Sequence, residues 1–323
     1  LAGRDVILAD AQLDTGDLDA LRAAIDARPP AGRPPQVLLV PFGDDRDLSR
    51  CIEIVRAAAA AEILPRFRRL RPDDVRAKTA PDDLVTEADL AAEGAMSEAL
   101  ARNFPEALIV GEEAVETDPG LLDGLPGAQL AFVIDPIDGT WNFAAGLSVF
   151  GVILAVIERG RTVAGVLYDP VMDDWIAARA GGGAWFERAG DDARHPLRIG
   201  GAGPADEAKG LVSPYNFPSA DRERLAAQLT GFGRVDALRC SCHEYRMLAQ
   251  GRVRFCLSGG AKVWDHAAGA LVTAEAGGAL GMLDGRAYAP GLREGRLLAA
   301  DDAVLMRDLA DRFSWLEKRS RVA

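Results

Sequence analysis

The chain has 323 residues, 49% of them apolar, and a formal net charge of −12. That length buries one large core or two smaller ones. The acidic excess argues against a nucleic-acid backbone as the main ligand, which needs a basic stripe to displace its counterions, but not against a small anionic substrate, because bound cations reverse the local field.

Cys51, Cys240, Cys242 and Cys256 form no CxxC pair, and the CxC at 240–242 is a weak zinc signal without a second ligand pair. Such sparse usage fits a reducing compartment without a disulfide framework. No stretch reaches the apolar length of a membrane span, and Arg4, Asp5 and Asp10 interrupt any signal-peptide core. A cytoplasmic protein is expected.

Residues 1–47 read as an extension of unknown role, with a short helix at Asp17–Ala27, two Pro-Pro pairs and an apolar run at Val37–Val40. From Asp47 to Arg69 the apolar spacing is helical, with Pro65 as a kink or stop. Thr86-Glu-Ala-Asp89 opens a second helix to about Asn103. Strands are expected at Ala107–Val110 and Gln129–Ile134, and Val149–Glu158 with Thr162–Tyr168 reads as a hairpin around Arg159-Gly160-Arg161. Gly181–Gly183 marks a turn before a strand at Ala184–Glu187. Residues 199–220, rich in Gly, Ala and Pro, read as a domain junction. Helices at Asp221–Leu229, Glu244–Gln250, Asp265–Ala276 and Asp302–Arg312 then alternate with strands at Val253–Leu257, Leu280–Leu283 and Arg296–Ala299. This order suggests an α+β domain over 48–198 followed by an α/β domain over 199–323.

The densest chemical signal is Asp135-Pro-Ile-Asp-Gly-Thr140, directly after an apolar strand. Two carboxylates there can be aimed at one spot, and hard cations take such oxygens. Gly139 permits close backbone approach, and Thr140 adds a hydroxyl. Taken alone the string reads first as an ordinary Asp/Pro/Gly turn. Gly111-Glu112-Glu113 follows a second strand, and its alternative is a solvated loop. Asp265, in Trp264-Asp-His-Ala, reads as a helix N-cap with an oxygen to spare for a metal. Thr86 to Asp89 matches a capping box with Asp in place of Glu.

These segments, in this order and with Glu275-Ala-Gly-Gly278, resemble the inositol monophosphatase family over about Asp47 to Trp315. The resemblance implies a layered αβαβα sandwich of the inositol monophosphatase/fructose-1,6-bisphosphatase type. It implies hydrolysis of a small phosphate monoester with two or three Mg²⁺ ions. Glu112, Asp135, the Ile137 carbonyl, Asp138 and Asp265 would be the metal ligands. Asp89 and Thr140, with Glu112, would orient and deprotonate the attacking water. Gly139 and Thr140 N–H groups would hold phosphate, and Lys78 and Asp83 match the loop of a further metal site. Lithium sensitivity and a homodimer belong to the same implication.

Members acting on inositol phosphate carry a carboxylate where this chain has Ser258, so its alcohol differs from inositol or is gripped otherwise. Ser241, His243 and Glu244 are candidates to touch the leaving group. Ser241 with Glu244 is also a plain capping box. His266 reads as a helix-start residue, and Lys262 as a surface charge or a contact to a substrate anion. Sugar phosphates, inositol phosphate and histidinol phosphate are candidate substrates. A 3′-phosphoadenosine nucleotide is the alternative, with Tyr245 or Arg239 as stacking surface. A non-catalytic scaffold or regulatory protein is the competing class. Buried carboxylates without a role argue against it.

Overall fold

The computed structural model describes Phe42 and residues 45–319, apart from 192 and 202. The helix and apolar run expected before Phe42 lie outside the described residues. Helix α1, Asp45–Ala58, buries Leu48, Cys51, Ile52, Val55 and Ala58 along one stripe and begins with Asp45 and Asp47, whose charge suits a helix N-terminus. It runs into a π turn, Ala59–Ile63, and stops there. Pro65 is the physical reason, since it lacks an N–H and its ring crowds the carbonyl four residues back.

Strands β1 (Val75–Ala77) and β2 (Leu84–Thr86) pair antiparallel and lead into helix α2, Glu87–Asn103. Then follow β3 (Leu108–Gly111), α3 (Glu112–Thr117), β4 (Ala131–Asp138) and α4 (Thr140–Ala144). Strands β5 (Gly151–Glu158), β6 (Arg161–Asp169), β7 (Asp174–Arg179), β8 (Gly183–Arg188) and β9 (His195–Leu197) complete a seven-stranded sheet in sequential order β3 to β9. The second half supplies β10 (Lys209–Val212), α5 (Ser219–Leu229), β11 (Arg234–Asp236), α6 (Ser241–Ala249), β12 (Phe255–Ser258), α7 (Val263–Glu275), β13 (Ala279–Met282), β14 (Leu297–Ala300), α8 (Ala303–Phe313) and α9 (Trp315–Arg319). Its five strands are ordered β11-β10-β12-β14-β13. Strand β10 lies inside the stretch read as a junction. Four residues with Gly210 inside and Pro214 close behind carry no periodic signal, but pairing on both sides makes them a strand.

Alternation along the strands sets the layers. Phe132, Ile134, Val152 and Leu154 pack with α1 and α2, whereas Val133, Ile153 and Ala155 pack with α6, α7 and the five-stranded sheet's Leu211, Cys256 and Ala299. Phe255, Leu257 and Leu298 face the other way, against Leu225 of α5 and Leu305 and Leu309 of α8. The result is helix, sheet, helix, sheet, helix, and the expected sandwich is present. Among the described residues no helix is long and apolar enough to cross a membrane.

One polar tie crosses the middle layer. Arg246 of α6, 5% exposed, donates to the Leu167 carbonyl at 2.8 Å and to the Asp174 carboxylate. Arg246→Ala is expected to lower the unfolding free energy by about 3 kcal/mol in urea melts, because it leaves the buried Asp174 carboxylate to the half-exposed Arg188 at 3.2 Å.

Candidate metal centre

Strand β4 carries Asp135 and Asp138, an odd spacing that strict alternation would send to opposite faces. The strand departs from alternation at this point. Asp135 pairs with Ile153 and Asp138 with Gly151, so three steps on β4 match two on β5. This is a bulge at Pro136-Ile137, where Pro has no N–H to lose from the ladder. Ile134 and Ile137 accordingly enter the same core cluster. Both carboxylates therefore leave on the opposite side, towards α6 and α7.

Asp265 comes from the other half of the chain. Helix α7 begins at Val263 with Lys262 at the cap position and no side-chain cap bond. Asp265 is thus the helix's third residue rather than its N-cap, and its carboxylate is turned to the site. One oxygen each from Asp135, Asp138 and Asp265 lies within 4.8 Å of the others. Burial, then the charges of Glu112, Asp138 and Asp265, hold Asp135 well above the usual carboxylate range. Burial and then Asp265 push Asp138 up to about 8, against the lowering effect of the Cys242 N–H and the Cys240 thiol. That N–H belongs to the first turn of α6, so Asp138 caps this helix from across the molecule.

Glu112 opens α3 immediately after β3, and its carboxylate borders the three aspartates, with Lys78 Nζ at 3.2 Å and Lys262 Nζ at 3.8 Å. Lys78 also donates to Glu113 at 2.7 Å. Burial pulls the Lys78 ammonium down, but Glu112 and Glu113 outweigh it and hold it above its ordinary range. An ammonium has donors only, so Lys78 serves the cluster as a counter-charge and not as a ligand. Asp83 accepts from the Thr79 N–H at 3.2 Å and from the Thr79 hydroxyl, which shapes the β1–β2 loop.

The Thr86–Asp89 capping box is present, and Asp89 has a second use. One oxygen accepts from the Thr86 N–H at 2.8 Å, while the other accepts from Thr140 Oγ1 at 3.2 Å. Thr140 Oγ1 also lies 3.0 Å from the Ile137 carbonyl, and its single proton serves one acceptor at a time. Burial pushes Asp89 up to about 7. Gly139 takes φ +89°, and a Cβ there would sit 2.9 Å from the Val149 carbonyl, so the turn between Asp138 and Thr140 requires glycine.

The segment before and within α6 divides. Ser241 begins the helix, and no Ser241–Glu244 capping box forms, because Cys240 holds the cap position and the Glu244 carboxylate turns back to the Leu238 N–H at 3.4 Å. Burial, opposed by that bond, and the nearby Asp265 push Glu244 up to about 7. His243 points elsewhere. Its Nε2 is 3.0 Å from the Phe150 carbonyl and 3.9 Å from Asp169, so packing has spent the imidazole on the sheet. Ser258 ends β12, half-buried. His266 is buried against Tyr245, and burial pushes it down to about 4. Sequence reasoning missed Glu93, whose carboxylate accepts the N–H groups of Glu113 and Ala114 at 2.9 and 2.8 Å and so fixes the start of α3. Its position four residues after Asp89, on the same helix face, was the available signal.

Asp135 Oδ1 is buried without a hydrogen-bond partner, an arrangement that suits a hard cation. All the converging groups are oxygen donors, the set that Mg²⁺ favours over softer metals.

Comparisons with known proteins bear on the family. A family model described as the inositol monophosphatase family matches residues 46–314. A Pasteurella multocida protein named Nus factor SuhB is 32% identical over 265 residues, which cover 79% of this chain and 91% of that one. An inositol-1-monophosphatase SuhB of Mycobacterium tuberculosis is 33% identical over 222 residues, 68% of this chain and 75% of that one. An IMPase structure from Thermotoga maritima superposes with a TM-score of 0.69 at 24% identity, covering 85% of this chain and 99% of that chain, which attests the fold. With the ordered acidic segments, the sandwich and a family match over most of its length, this chain belongs to the inositol monophosphatase family.

Proposed function

We propose that the protein hydrolyses the phosphate monoester of a small molecule in a Mg²⁺-dependent reaction. The observation that carries the reading is the convergence of Asp135, Asp138 and Asp265 within 4.8 Å, from strand β4 and helix α7, with Asp135 Oδ1 unpartnered. Glu112, Asp135, Asp138, Asp265 and the Ile137 carbonyl would hold the ions, two or three in number. When bound, Mg²⁺ supplies positive charge to the phosphate and leaving oxygens and lowers the pKa of water.

The chain's own residues do the rest. Gly139 and Thr140 present backbone N–H groups to the phosphate. When Thr140 gives its proton to Asp89, its lone pairs are open to accept from the attacking water. Asp89, at about 7, suits proton uptake at neutral pH. Sugar, inositol and histidinol phosphates are the proposed substrate types, with a 3′-phosphoadenosine nucleotide as alternative. A homodimer, lithium sensitivity and a cytoplasmic location go with the same reading.

Phosphate release from a panel of these esters in Mg²⁺ is expected, with loss on chelation and recovery on Mg²⁺ addition. Chelator-resistant release, or none from any ester, overturns the reading. The second outcome favours a non-catalytic regulatory role, a reading supported by the Nus factor name of the Pasteurella relative.

A further inference from the structure

Two lysines approach the Glu112 carboxylate, and they are built differently. The Lys78 side chain is 6% exposed and makes two close ion pairs, at 3.2 and 2.7 Å. The Lys262 side chain is 54% exposed, and its Nζ stands 3.8 Å from Glu112 Oε1, beyond hydrogen-bonding range. Its ammonium lies 5.5 Å from the centre of the Trp264 ring, a contact that orients it without neutralising it. Lys262 is the only charged residue of the loop Ser258-Gly-Gly-Ala-Lys262 that joins β12 to α7, three positions before Asp265. The charges it faces are those of Asp265, Glu112, Asp83 and Asp135. Beside it lies a cavity of about 80 Å³, lined by Leu122, Leu125, Lys262, Trp264, Leu292 and Arg293 among others. At about 30 Å³ per water, that space holds a group of two or three heavy atoms. The cavity wall is mostly apolar and carries the Lys262 ammonium, while Arg293 is already paired with Asp123; this lining suits a short carbon stem ending in negative charge.

We infer that Lys262 is a specificity-determining residue that binds a second anionic group, on the alcohol portion of the phosphate ester. The inference rests on the phosphatase reading. Among small phosphate esters this narrows the substrate class to those whose alcohol carries a second anion, a phosphorylated hydroxy acid, a sugar bisphosphate or the 3′-phosphoadenosine nucleotide, ahead of inositol, histidinol and neutral sugar phosphates. With divalent ions bound to Asp265, Glu112 and Asp135, the ammonium would be left to meet an incoming anion. Its contact with Trp264 limits where the ammonium can swing.

The test compares 3-phosphoglycerate with glycerol 3-phosphate, and fructose 1,6-bisphosphate with fructose 6-phosphate. The first pair reads a carboxylate and the second a phosphate. In at least one pair the charged member is expected to have the higher kcat/KM, by about tenfold, through KM. That preference falls about tenfold in Lys262→Ala and returns in Lys262→Arg. Calorimetry in Mg²⁺ adds a readout without turnover, in which phosphonoacetate binds more tightly than methylphosphonate and loses that advantage in Lys262→Ala. Equal handling of charged and neutral partners in both pairs, or a preference unchanged in Lys262→Ala, overturns the inference and leaves the phosphatase reading standing. If no ester is hydrolysed the phosphatase reading falls, and the phosphonate comparison still decides the role of Lys262: an equal loss of both phosphonates overturns it.

Discussion

Asp135→Asn is expected to lower phosphate release by about a thousandfold or more while raising the melting temperature of the chelator-treated protein. The two effects have one cause. Asp135 is buried among Glu112, Asp138 and Asp265, and each of these charges disfavours its own. An amide of the same shape removes that repulsion, so the metal-free fold is relieved. The same change removes an anionic oxygen from the ligand set, so the rise in melting temperature that Mg²⁺ gives the wild type shrinks. A folded, stabilised variant rules out misfolding as the reason for lost turnover. Turnover near the wild-type rate would mean that the aspartates do not form the reacting centre.

The metal-free protein is expected to lose stability as pH rises from about 4.5 to 8, and Mg²⁺ is expected to cancel the loss. Asp138 is pushed up to about 8 by burial and Asp265, while Asp89, Glu113 and Glu244 are each pushed up to about 7, chiefly by burial. Their ordinary values are 3.8 for Asp and 4.5 for Glu, so in this window the folded state holds protons that the unfolded chain has released. Stability from these groups is complete below the ordinary values and is lost as pH climbs through the raised ones. Carboxyls held low by arginine, such as Asp173 beside Arg56, act in the other sense only at lower pH, and buried His266, pushed down to about 4 from 6.5, opposes the trend below its ordinary value but is outnumbered by the raised carboxyls. Melting temperatures in chelator at pH 5 and pH 8 measure the slope. A flat or rising trend would show that the acidic cluster is not under the strain its burial implies. Calorimetry in buffers of different ionisation heat should record proton release on Mg²⁺ uptake.

The acidic segments were legible because each ends or follows an apolar strand or opens a helix, and such placement survives folding. Asp135 and Asp138 could be read as a pair from Pro136 and Gly139, even though their odd spacing argued against a shared face. The bulge that reconciles them needs a partner strand, and no periodicity reports it. Strand β10 was hidden for a similar reason, since its order comes from β11 and β12 on either side. The direction of His243 depends on how α6 lies over β5, which no local reading reports. Ser241 and Glu244 had the letters of a capping box, but Asp138, 104 positions away from Cys242, took the cap. Glu93 and Lys78 were separable from the surface only once β3, α2 and the β1–β2 loop were together.

The bulge at Pro136-Ile137 has a consequence for ion selectivity. Asp135 and Asp138 are mounted on one continuous backbone, paired with β5 on both sides of the extra residue, so their backbones cannot separate further without breaking strand pairing. Asp265 and Glu112 ride on separate helices. If the centre holds Mg²⁺ as proposed, an ion of larger radius such as Ca²⁺ would have to be accommodated by side-chain rotation or by displacement of α7 or α3.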